Sequence, residues 1–315
     1  MTAGPNQRPR EDAPVTPKGM ETHPPTPPLV AARVEAIMSL RTAIRASMLP
    51  GYADCPRRAA AKQWRREIED AGHELRELRP SVGAAVGTAV HAAAARMLQA
   101  KIDTGELGGG KDGIEIAIEA FREETEPGAE WDDTTPNRSV AETQIKRLTL
   151  AYRQGVARHL NPAIVEQAWE VPAGNGFILT GHCDVITVEG VVRDLKTGAL
   201  PRPYQAQLGA YSLLARSQEP AINVTGVAID FIRRMPKAKP QEPPVTETYD
   251  QDVSERAAWS VIERIRQDMN EFRRRLADND ESLEEAFLAN PMSMMCRPQF
   301  CPAHGTEWCS LGRKE

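Results

Sequence analysis

Apolar positions along the chain change their period twice. At 29–40, Val30, Val34, Ile37, Met38 and Leu40 recur at helical spacing, which predicts an amphipathic helix. Leu49-Pro50-Gly51 reads as a break, and Cys55-Pro56-Arg57-Arg58 opens the next helix with proline in its tolerated first turn. A small-residue helix is expected over 82–101, stopped by the glycines at 108–110, with further helices at 112–124 and 137–160. The texture then turns to β-rich runs at 164–171, 177–188 and 191–196, separated by turn residues. A helix at 203–216, a strand at 224–233, a proline-rich loop at 237–244, an edge strand at 245–249 and a long Arg-rich helix at 252–276 complete the pattern. The last 25 residues are irregular and hold three cysteines. The order predicts an α/β fold with a mixed central sheet flanked by helices.

Composition refines this picture. Residues 1–28 carry eight of the 25 prolines and no aromatic residue, so this stretch is expected to be a disordered tail. A helical arm containing Cys55 at 29–80, a core at 81–290 and a cysteine-rich segment at 291–315 then follow. The net charge of −5 argues against a protein coated in basic charge, yet a local basic groove can sit on an acidic body. No apolar run approaches the roughly 20 residues of a membrane span, and no signal-peptide core is visible, so a cytoplasmic location is expected. Five cysteines without a secretion signal point to metal binding rather than disulfides.

The main chemical signal lies in Gly181-His182-Cys183-Asp184 and Arg193-Asp194-Leu195-Lys196. Alternation along a strand puts Asp194 and Lys196 on one face and separates Cys183, a small core residue, from Asp184. A two-residue loop at Glu189-Gly190 would send the two aspartates to opposite faces. A three-residue loop over 188–190 pairs Asp184 directly with Asp194, and Gly190 stands where such a loop commonly needs a left-handed residue. The three-residue register is expected. Paired carboxylates repel unless a cation lies between them, and oxygen ligands suit Mg²⁺ or Mn²⁺. A neighbouring lysine can then orient the attacking water and offset charge building on a phosphate. His91 follows Gly87 by one helical turn and is a further candidate ligand. Tyr204, Gln207 and Tyr211 form a polar-aromatic stripe suited to contacting phosphate and bases. Arg57 and Arg58, on the basic helix beside Cys55, are the better candidates for phosphate contact among the basic runs.

Cys296, Cys301 and Cys309 lack a fourth local cysteine. Either His304 completes a zinc knuckle with them, or Cys55 completes a four-cysteine site suited to an iron–sulfur cluster.

In order, Gly87-x-x-x-His91, Gly181-x-x-Asp184, Asp194-x-Lys196 and Gln207-x-x-x-Tyr211 resemble the PD-(D/E)XK nuclease superfamily. The resemblance runs over residues 52–311 and points to the RecB-like branch, which includes phage exonucleases and the CRISPR-adaptation nucleases. It implies a restriction-endonuclease-like core with a C-terminal metal-bound cap. It further implies that His91, Asp184, Asp194 and the Leu195 carbonyl bind Mg²⁺ or Mn²⁺, that Lys196 is catalytic, and that Gln207 and Tyr211 support the site. Asp194 stands where many relatives carry Glu. The same branch implies a 4Fe–4S cluster on Cys55, Cys296, Cys301 and Cys309, with zinc as the alternative. The expected activity is hydrolysis of DNA at free ends in recombination, replication or repair. The alternatives are a CRISPR-adaptation-like trimming nuclease, a non-catalytic DNA-end-binding iron–sulfur protein, and a zinc-stabilised interaction protein. No ATP-binding loop of the Gly-x-x-x-x-Gly-Lys-Ser/Thr type is present, so unwinding is expected to come from a recombination or helicase partner.

Overall fold

The computed structural model describes residues 41–312. The expected tail at 1–28 and the expected helix at 29–40 lie outside the described residues. Within them, six strands form one sheet: β1 (Thr42–Arg45), β2 (Pro162–Gly174), β3 (Phe177–Thr187), β4 (Val191–Gly198), β5 (Gly226–Arg233) and β6 (Val245–Tyr249). β3 is the hub. It pairs antiparallel with β2 from end to end, parallel with β1 at its first residues and antiparallel with β4 near its last. β4 and β5 are parallel, and β6 closes the sheet as an antiparallel edge.

Helices cover both faces. On one side lie α1 (Leu49–Asp54), α2 (Pro56–Gln63), α3 (Arg65–Asp70), α7 (Gln205–Arg216) and α8 (Gln251–Ala277). On the other lie α4 (Val82–Thr104), α5 (Gly110–Thr125) and α6 (Arg138–Gly155). Each face has its own core, as a sheet buried on both sides requires. The first includes Leu49, Tyr52, Leu179, Leu214, Ile262, Phe272 and Phe287; the second includes Val86, Val90, Phe121, Leu148, Val185 and Leu195. Along α8 the buried Ala258, Ile262, Ile265, Met269 and Phe272 recur every three or four residues, the period that turns one face inward.

Two readings of the N-terminal region need correction. Leu49-Pro50-Gly51 does not break the chain but starts α1, because proline in a first turn gives up an N–H that has no helical partner anyway. The strand at Thr42–Arg45 was not foreseen. Four residues are too few to show a period, and its partner lies far away in β3. α4 ends at Gly105 in the left-handed conformation (φ 78°), before the glycine run, and starts on Ser81, whose hydroxyl accepts from the Ala84 N–H.

The β3–β4 hairpin has the three-residue loop. Val185 pairs with Arg193 and Ile186 with Val192, a register that sets Asp184 opposite Asp194. Gly190 is left-handed (φ 85°), and a Cβ there would lie 2.2 Å from the Asn223 carbonyl oxygen. Gly190→Val is therefore expected to cost ~3 kcal/mol through backbone strain and collision. A thermal melt that matched the wild type would show that the loop is not what holds the register.

Candidate metal-dependent active site

One edge of β3 is shared. β1 covers it as far as Thr180 and β4 from Val185 onward, while β2 occupies the opposite edge. The four residues between, Gly181 to Asp184, face a gap where β4 has peeled away. Asp184 fills it: its Oδ2 accepts the Leu195 N–H at 2.7 Å, where a continued ladder would supply a main-chain carbonyl. A strand residue directs its N–H and C=O to the same edge, so the Leu195 carbonyl also opens on this gap.

Cross-strand register assembles the charges. Val165 pairs with Val185 and Gln167 with Cys183, so Glu166 of β2 stands opposite Asp184, which stands opposite Asp194. Three carboxylates thus lie in one row across three strands. His91 reaches the row from α4, its Nδ1 3.2 Å from Asp184 Oδ1. Gly87, one turn earlier, lets α4 come close to β4: a Cβ there would be 3.2 Å from Thr197 Oγ1. His91, Glu166 and Asp184 each offer a ligand atom within 4.8 Å of the others, a spacing that could hold a metal ion.

Asp194, 1% exposed, is turned the other way along the row. Lys196 Nζ lies 2.7 Å from its Oδ2, and Gln207 Nε2 donates to its Oδ1 at 3.3 Å and to the Tyr211 hydroxyl at 2.9 Å. The Lys196 ammonium also lies 5.1 Å over the ring of the half-buried Tyr204. Asp194 thus gathers Lys196, Gln207 and Tyr211, while His91 gathers Asp184, and it is Glu166 rather than Asp194 that completes the set of ligand atoms within 4.8 Å.

Glu166 was missed. Asn175 and Gly176, both at positive φ, mark a tight β2–β3 turn that is legible in the sequence. That turn pairs Gly174 with Phe177, and the same register carried down the strand would place Glu166 opposite Val185. An irregularity between Pro172 and Gly174 shifts the pairing by one and brings Glu166 to Asp184. Glu166 is itself held at φ 51°, rare for a residue with a side chain.

The charges are mutually adjusted. Burial pushes the Asp194 carboxyl up to about 6; the Lys196 ammonium pulls against this, and the Asp184 charge adds to it. Burial would push the His91 imidazole down, but the Asp184 carboxylate outweighs it and holds the ring up to about 9. Burial likewise opposes ionisation of Asp184, and His91 and Lys196 override it to hold its carboxyl below the usual range. Lys196 is raised against the effect of burial by Asp194 and Asp184, and so stays charged.

A pH dependence follows. A group raised from 6.5 to about 9 on folding stabilises the protein fully below pH 6.5, and that contribution is lost as pH rises through 9. In EDTA, Tm is expected to fall over this window, and His91→Gln should flatten the slope. A slope left intact by His91→Gln would break the pairing with Asp184. Because a metal needs the neutral ring, divalent binding at pH 7.5 should also release a proton, seen by calorimetry in buffers of different ionisation enthalpy.

Beside the row is a groove of about 570 Å³ lined by Arg45, Ser47, Trp169, Thr180, His182 and Tyr211. His182 joins groove to row, its Nε2 2.8 Å from the Glu166 carbonyl.

The PD-(D/E)XK nuclease superfamily model matches residues 45–310. The chain belongs to that superfamily. No curated protein matches it in sequence. Among solved structures it is similar to a candidate exonuclease from Eubacterium rectale, at 10% identity and TM-score 0.48, covering 89% of this chain and 93% of that one. It is also similar to SSO0001, at 13% identity and TM-score 0.27, covering 75% and 84%. Neither likeness is close enough to add to the argument from topology and register.

The basic candidates are placed differently from expectation. Arg57 and Arg58 are 9% and 7% exposed. Arg57 Nε donates to the Phe287 carbonyl at 3.0 Å, and Arg58 Nη2 pairs with Asp54 at 3.0 Å. Their alanine-rich helix packs into the core on the side that the sequence alone cannot choose, so they do not form a surface for nucleic acid. Arg234 is spent on Asp132, and Arg274 and Arg275 on Glu271.

The cysteines do gather. Cys55, Cys296, Cys301 and Cys309 line one cavity between the start of α2 and the C-terminal segment, and His304 lines it too. The Asn290 N–H points at Cys55 Sγ, 3.3 Å away. Cys183 is fully buried in the first core and does not line this cavity. No helix among the described residues is long and apolar enough to cross a membrane.

Proposed function

We propose that this chain is a Mg²⁺- or Mn²⁺-dependent deoxyribonuclease that hydrolyses phosphodiester bonds at DNA ends. The gathering of His91, Glu166 and Asp184 ligand atoms within 4.8 Å, beside Asp194 and its paired Lys196, carries the reading, because oxygen and imidazole ligands at that spacing suit a divalent cation. Asp184, Asp194, His91 and the Leu195 carbonyl would hold the ion, with Glu166 as an added ligand. The ion, when bound, would lower the pKa of its water and offset charge on the phosphate. Lys196, kept protonated, donates toward the water and the developing anionic oxygen. Gln207 holds Asp194 in place and is itself oriented by Tyr211. The preference for ends rests on the likeness to the RecB-like branch, and unwinding is assigned to a helicase or recombination partner.

The same reading assigns the four cysteines a 4Fe–4S cluster. Tetrahedral zinc with Zn–S bonds of about 2.3 Å needs its sulfurs within ~3.8 Å of one another. No three ligand atoms of the cysteines and His304 lie within even 4.8 Å of each other. A cubane holds its thiolates on separate irons and spaces them more widely.

Anaerobically purified protein, given end-labelled linear DNA and covalently closed circles with Mg²⁺, Mn²⁺ or EDTA, tests the activity. Metal-dependent loss of linear DNA alone is the expected result. Cleavage of circles would replace an end-directed enzyme by an endonuclease, and no cleavage with either metal would remove the catalytic reading.

A further inference from the structure

The cysteine cavity holds more than thiols. Two nitrogen donors, Arg58 Nη1 and His304 Nε2, are buried and have no hydrogen-bond partner in the protein, and both side chains line this cavity. Each residue is less than a tenth exposed. An unpaired buried donor is destabilising, and a charged guanidinium is more so, so two around one cavity point to an acceptor that belongs there.

The surroundings keep both in position. Asp54 grips Arg58 through Nη2 and leaves Nη1 to the cavity. His304 sits one turn beyond Cys301, its N–H donating to the Cys301 carbonyl at 3.2 Å. Gly312 leaves the imbedded ring its space: a Cβ at that position would come 2.9 Å from Cδ2 and 3.0 Å from Nε2. Lys62, one turn after Arg58 on α2, lies in the field of both Arg58 and Cys301, so positive charge gathers where the thiols do. Four thiolates fill the four iron sites of a cubane, which leaves His304 as a donor beside the cluster rather than a ligand to it.

We propose that Arg58 and His304 donate N–H hydrogen bonds to the sulfurs of a net-anionic metal–sulfur cluster held by the four cysteines alone, and that they set its reduction potential. This rests on the cluster reading above. Four thiolates leave a 4Fe–4S centre negatively charged, and its reduced form is more negative by one electron. Donors to sulfur favour that reduced form and raise the potential. Arg58 is thereby a positioning and tuning residue rather than a contact for nucleic acid.

Anaerobic protein is assayed for iron and sulfide and titrated electrochemically by its visible and paramagnetic spectra, for the wild type, His304→Leu, His304→Gln, Arg58→Met and Arg58→Lys. All five are expected to keep the wild-type iron content. His304→Leu and Arg58→Met should each shift the reduction equilibrium about tenfold toward the oxidised form, which is ~59 mV for one electron. His304→Gln and Arg58→Lys, which retain a donor, should recover part of it. Loss of iron in a folded His304→Leu makes the histidine a ligand and overturns the proposal, as do unchanged potentials in both donor-free variants. Wild-type protein that takes up no iron and sulfide, or holds only zinc, instead removes the cluster reading beneath it.

Discussion

Asp194→Ala and Lys196→Ala are expected to abolish DNA cleavage while leaving DNA binding largely in place. Asp194 lies between Lys196 and Gln207, so its loss unpairs the lysine and, on the proposed reading, removes a metal ligand as well. Lys196→Ala leaves the carboxylates in place and removes the charged donor paired with Asp194, which should lower kcat by roughly 10²- to 10⁴-fold, the range for positioned proton donors and acceptors. Binding should survive because phosphate contacts spread over a surface dominate affinity for DNA. Turnover on end-labelled DNA and gel-shift affinity in EDTA separate the two effects. Near-wild-type turnover in both variants would move the active site elsewhere, and lost affinity with intact melts would make these residues part of the binding surface.

Cys55→Ala is expected to remove brown colour and lower Tm, whereas Cys183→Ala should do neither. Cys55 lies at the start of α2 and Cys296, Cys301 and Cys309 lie near the other end of the chain, yet all line one cavity. A cluster on all four closes a loop of most of the domain, and cross-links of that span withdraw about 5 kcal/mol of unfolded-chain entropy in the chain-entropy model. Ligand binding adds to this, so a loss on the order of 10 °C in Tm is expected. Cys183 is packed between apolar side chains and its thiol is held protonated by burial, so its replacement removes only one small buried group. Absorption near the visible cluster bands and calorimetric melts, taken on the same anaerobic samples, read both effects. A colourless wild type, or a Cys55→Ala protein of unchanged colour, overturns this assignment.

The two predictions draw on different kinds of information. Asp184, Asp194 and Lys196 were legible because a hairpin is local: strand alternation and one glycine at the third loop position determine which side chains face each other. The helices around the site were legible for the same reason, since their apolar period depends on neighbours within a few turns. Gly87 and His91 also share a helix face by spacing alone. What local pattern could not decide was anything that depends on how distant elements meet. Glu166 joins the row only through an irregularity near the β2–β3 turn that shifts the pairing by one residue. The four residues of β1 gain their strand character from pairing with β3, not from their own sequence. Arg57 and Arg58 look like a surface charge run, and packing of α2 against the segment around Phe287 turned them inward instead. The sequence by itself determined the fold class, the hairpin and its charges, because short-range stereochemistry dictates them. Only the tertiary structure brought the third carboxylate into line and buried the arginines, because burial and long-range register are settled by contacts between parts of the chain that no local pattern connects.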